Sequence, residues 1–140
     1  MRYIYVLVTL IGLAGCQNKV SKLDLPHLNG YWEIERVTFP DGSKKEYAVS
    51  TSIDYIQVNN NNEGFRKKVR PNFNGTYVTS NDAELFTISE NEGIFSLNYK
   101  TDLSEWHEKI TSLSENSFTV ISEENIKYHY KKFKPIDLEQ

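Results

Sequence analysis

Short apolar runs, broken about every ten residues by turn formers, leave this chain few folds to choose from. Asn29-Gly30-Tyr31-Trp32 opens the first run, which continues from Glu33 to Phe39 with Trp32, Ile34, Arg36 and Thr38 on one face and Tyr31, Glu33, Glu35, Val37 and Phe39 on the other. Pro40-Asp41-Gly42-Ser43 then turns the chain into a hairpin, because Pro presets the first corner dihedral and Gly accepts positive φ. Further strands are read at 53–58, 65–73, 76–79, 85–89, 94–99, 105–113, 118–122 and 126–133, with Asn74-Gly75 as a tight hairpin turn. No window carries a helical period, and the connections reach only neighbouring antiparallel strands. The expected fold class is all-β, an antiparallel up-and-down meander of eight to ten strands. Closure into an up-and-down β-barrel removes the exposed sheet edges. A two-sheet sandwich is the rival arrangement, with longer connections that cross between sheets.

The start of the chain has a different character. Arg2 is followed by an apolar run from Tyr3 to Ala14, 12 residues long. That is short of the roughly 20 a membrane-spanning helix needs, and it suits the core of a secretory signal over residues 1–15. Leu13-Ala14-Gly15-Cys16 places small residues just before the only cysteine, and this pattern resembles the lipobox of bacterial lipoproteins. The resemblance implies a diacylglyceryl group on the Cys16 sulfur, cleavage before Cys16 and acylation of the new amine. Two or three buried acyl chains then hold the protein at a membrane, where one chain would not.

Residues 16–28, polar and containing Pro26, read as the acylated cysteine and a short tether; 29–134 as the barrel; and 135–140 as a tail. Gln17 follows the cysteine where an Asp would signal inner-membrane retention, which favours the outer membrane. With the signal removed, Lys plus Arg falls from 16 to 15 against 19 acidic residues, moving the formal charge from -3 to -4. Neither nucleic acid nor an anionic membrane surface is therefore an expected partner from net charge. No cysteine remains for an intramolecular disulfide, so packing must supply the stability.

Gly30-x-Trp32 at the head of the first strand, the lead-in ending in Pro26, the continuous meander and the terminal Tyr128-x-Tyr130-Lys131-Lys132 strand resemble the lipocalin-like lipoproteins of Bacteroidota-type bacteria. The resemblance covers residues 28–133. It implies that Trp32 closes one end of the barrel and that a basic residue of the last strand, Lys132, lies across its ring. The sequence carries no disulfide pair and has Lys where Arg is usual in that family. Trp32 read on its own is equally a core anchor of any β-domain.

Catalytic chemistry is not indicated. His27, His107 and His129 lie far apart, and His107 and Glu108, adjacent on a strand, face opposite sides, so no metal and no cofactor are expected. No nucleophile elbow or phosphate-cradling glycine loop occurs. No carboxylate pair stands out. Arg66-Lys67-Lys68-x-Arg70 reads as the solvated face and rim of a sheet, with an anion or headgroup contact as its alternative. The nine tyrosines, seven phenylalanines and two tryptophans suit a β core, and equally a barrel around a flat or greasy ligand. The leading expectation is a non-catalytic barrel that binds a small apolar or amphipathic molecule. The alternatives are a side-chain-filled barrel that docks onto an envelope complex, and, more weakly, a hydrolase or isomerase acting on a membrane lipid.

Overall fold

A computed structural model describes residues 19–48, 52–79 and 82–134. The signal segment, Cys16 and the 135–140 tail lie outside the described residues. The elements are a 3-10 helix (Lys22–Leu28) and ten strands: β1 (Gly30–Thr38), β2 (Lys44–Glu46), β3 (Ile53–Val58), β4 (Glu63–Pro71), β5 (Tyr77–Thr79), β6 (Glu84–Asn91), β7 (Ile94–Lys100), β8 (Glu105–Leu113), β9 (Ser117–Ser122) and β10 (Lys127–Lys132). All pairings are antiparallel. Eight strands in the order β10-β9-β8-β7-β6-β4-β3-β1 close on themselves through β10 and β1. The sandwich is excluded by that closing pair. β2 and β5 are extra strands: β2 pairs with the far half of β1, and β5 with the far half of β4.

The first strand departs from simple alternation. A register shift between Ile34 and Arg36 inserts Glu35 without a partner on β10. Before it, Trp32 and Ile34 face inward opposite Lys132 and Tyr130; after it, Val37 lies opposite Tyr128 and is buried. A bulge of one residue exchanges the two faces of a strand. Val37, on the face opposite Trp32 by simple alternation, is thereby brought to the interior, and Arg36 and Thr38 leave the face of Trp32.

The tether reading of residues 16–28 is corrected from Lys22 onward. Ser21 caps the 3-10 helix, its Oγ accepting from the Leu23 N–H at 3.2 Å, while Asp24 accepts from the Ser21 N–H at 2.9 Å. Pro26 fits because its fixed φ is already helical, and it forfeits only one hydrogen bond. The helix lies across one end of the barrel and buries Leu25 and Leu28 in the core, with Val20 just before it. Apolar burial holds it there, at roughly 1.5 to 3 kcal/mol for each leucine side chain.

Most inward positions are large. Trp32, Ile56, Phe86, Ile88, Phe95, Leu97, Tyr99, Ile110, Phe118, Val120 and Tyr130 form one buried cluster with the helix leucines. At the small inward position Gly64 the space is taken by the ring of Phe86, its partner on the neighbouring strand, which a Cβ there would meet at 2.6 Å. The tyrosines divide between two surfaces. Tyr99, Tyr128 and Tyr130 point inward, whereas Tyr31 and Tyr55 face out and join Phe65, Tyr77 and Phe133 in a chain of ring contacts on the outer wall.

Candidate functional site

The two ends of the barrel are built differently. At the helix end, Trp32 is fully buried, and its indole N–H donates to the Leu28 carbonyl at 2.8 Å. Lys132 Nζ stands 4.3 Å from the Trp32 ring centroid and donates to the Asn29 carbonyl at 2.8 Å. Such a cation over an indole contributes about 0.5 to 2 kcal/mol. Phe118 meets Trp32 edge-on at 4.7 Å and stacks on Tyr130 at 4.6 Å, so rings continue up the barrel. The Asn29 side chain accepts from the Val58 N–H at 2.6 Å, fastening the end of β3 to the start of β1.

Gly30 is required here for two reasons. Its φ of +131° is a conformation that side chains with a Cβ rarely adopt, and a Cβ would lie 2.8 Å from Lys132 Nζ. Gly30→Ala is expected to lose about 1 to 3 kcal/mol, mostly through the backbone. The ammonium can swing aside but then leaves the indole. Thermal denaturation checks the loss, and an unchanged midpoint would show that neither constraint matters.

The opposite end carries the loops at 39–43, 101–104 and 122–126, and its interior is polar. Arg66 lies opposite Ile56 and Glu84 on the neighbouring strands and so points into the barrel. Its Nη2 donates to Glu84 Oε2 at 2.8 Å, its Nη1 is 3.8 Å from Glu108 Oε2, and its guanidinium lies 4.7 Å from the Tyr99 ring centroid. Tyr99 in turn stacks face to face on Trp106 at 4.9 Å. Burial pushes the Glu108 carboxyl above the usual range, opposed by Arg66 and by a hydrogen bond from Trp106. Burial likewise pushes the Tyr99 phenol far up, and its hydroxyl finds no hydrogen-bond partner among the described residues. Lys68, mostly exposed, reaches in to the buried carboxylate of Asp54.

The reading of residues 66–70 as a solvated rim is corrected at Arg66, whose side chain is only 15% exposed. The earlier finding of no distinctive carboxylates also gives way, because Glu84 and Glu108 converge on that one guanidinium. β-Alternation carried the signal, since Gly64, Arg66 and Lys68 share a face, but the direction of that face needed the register with β3. The histidines stay apart: His27 is exposed on the helix, His107 faces out with Nδ1 2.8 Å from Asn98 Oδ1, and His129 Nδ1 lies 3.0 Å from Thr119 Oγ1. Among the described residues no group of three metal-ligating side chains gathers.

Comparison with known families agrees with the barrel. The family model described as a lipocalin-like domain matches residues 28–120. The chain is similar to the crystal structure of a lipocalin-like protein from Bacteroides uniformis at 15% identity and a TM-score of 0.49, covering 76% of this chain and 99% of that one. An uncharacterized protein from Bacteroides eggerthii is similar over the same shares at 15% identity, with a TM-score of 0.48. No curated protein matches the chain. The family model spans most of the barrel, from Leu28 at the end of the covering helix to β9, and by that match the chain belongs to the lipocalin-like domain family.

Proposed function

We propose that this protein is an envelope lipoprotein, anchored by acyl chains on Cys16, whose barrel mouth binds a small amphipathic molecule without catalysing a reaction. The observation that carries this reading is the polar cluster inside the end opposite the helix, where Arg66, Glu108 and the Tyr99 hydroxyl, unpartnered among the described residues, lie beside the Tyr99 and Trp106 rings. A buried hydroxyl without a partner costs about 1 to 3 kcal/mol, so a ligand that supplies one gains accordingly. The rings offer an apolar wall for the rest of the molecule. Large side chains occupy the helix end, so the ligand sits in the upper half of the barrel with its polar group at Arg66 and Glu108. Gln17 after the anchor supports placement at the outer membrane.

Titration of a lysophospholipid below its micellar concentration into the domain tests this reading. A saturable change in Trp106 emission and a rising thermal midpoint are expected, as mass action requires of a ligand that binds only the folded state. Trp106→Ala should weaken that binding by roughly tenfold, equivalent to about 1.4 kcal/mol. Absence of any saturable response would overturn the reading. It would favour the second one, a non-catalytic subunit of an envelope complex, for which the filled helix end is the supporting observation.

A further inference from the structure

We infer that the helix-covered end of the barrel is a membrane-docking surface, which lies on phospholipid headgroups and turns the mouth away from the bilayer. The inference rests on the anchoring of Cys16 proposed above. Val20 is buried in the barrel core, and Lys19 lies on the β6–β7 turn, where a Cβ on Gly93 would meet its side chain. Cys16 precedes Val20 by four residues, which span at most about 14 Å even when fully extended. That reach is shorter than the barrel: strands of nine residues, tilted as barrel strands are, make it about 20 Å or more tall. An acylated Cys16 therefore draws the helix end down to the membrane surface.

What that end displays matches a headgroup layer. Leu23 projects from the helix 89% exposed, with Lys19 and Lys22 on either side of Ser21. Next to the helix end, Glu33, Asn116, Lys131, Lys132 and Lys134 line a groove of about 370 Å³. Glu33 is 3.5 Å from Lys131, and three lysines against Glu33 and the neighbouring Glu115 leave the groove cationic by one charge. Lysines on flexible stems suit phosphate-bearing headgroups, and one exposed leucine suits the boundary beneath them. At the other end, Leu103 in the β7–β8 turn is 96% exposed and lies on the rim of the mouth.

Those two leucines make the test. In the acylated full-length protein the Cys16 sulfur is consumed by lipid, so Leu23→Cys and Leu103→Cys each give one site for a nitroxide label. The proteins are reconstituted in phosphatidylethanolamine–phosphatidylglycerol vesicles carrying a nickel-chelating headgroup lipid. Relaxation of the label by that lipid is expected to be several-fold stronger at position 23 than at 103. Equal relaxation at both positions, or stronger relaxation at 103, in protein that sediments with the vesicles would overturn the orientation while leaving the anchor intact. Protein that stays in the supernatant would overturn the anchor, and the docking surface with it.

Discussion

Trp32→Ala is expected to destabilise the domain by about 3 to 5 kcal/mol, the range for emptying a fully buried aromatic site. In a domain of this size that corresponds to a thermal midpoint lower by on the order of 15 °C. The substitution removes more than volume. Leu28 loses the indole donor to its carbonyl, Lys132 loses the ring beneath its ammonium, and Phe118 loses an edge contact. The helix, β1, β9 and β10 all meet at that ring, so the whole covered end loosens at once. Denaturant unfolding measures the effect, and a loss below about 1 kcal/mol would mean the ring is not the anchor its burial implies.

Arg66→Met should be comparably damaging, but in a way that depends on pH. It leaves Glu108 buried beside Glu84 with no cation, and removing one member of a buried charged pair costs about 3 to 5 kcal/mol. Burial already raises the folded pKa of Glu108, and Arg66 is the larger of the two groups that hold it down. Without Arg66 the folded pKa rises further above the unfolded value. A carboxyl raised on folding favours the native state below its unfolded pKa, and that support disappears as pH rises through the folded pKa. The variant should therefore be closest to wild type near pH 4 and furthest from it at pH 7. Arg66→Met combined with Glu108→Gln should regain most of the loss at pH 7, because no buried charge is then stranded. A deficit that is the same at pH 4 and pH 7 would show that Arg66 acts through packing alone.

Much of the barrel was legible because its signals are local. Alternating runs and turn residues such as Asn74-Gly75 report strand positions without knowledge of their partners, and the strands lie close to where these signals put them. The helix had a local signal too, since Ser21-x-x-Asp24 ahead of Leu25 and Leu28 is a capping box, but Pro26 and the polar neighbours drew the reading toward a tether. The bulge at Glu35 had none, because the missing partner belongs to β10, some ninety residues on. The polar cluster shows the same limit. Arg66 follows a glycine and precedes two lysines, and locally nothing separates it from them. Only the register of β4 against β3 and β6 turns it inward, and only the meander brings Glu108 up to face it.

Native mass spectrometry, on protein expressed with its own signal in a Bacteroides host and purified gently, bears most directly on the central claim. The account predicts a reproducible adduct of one small molecule, released by denaturing extraction and lost in the Trp106→Ala variant at unchanged fold. A clean, empty mass from freshly isolated protein would contradict it.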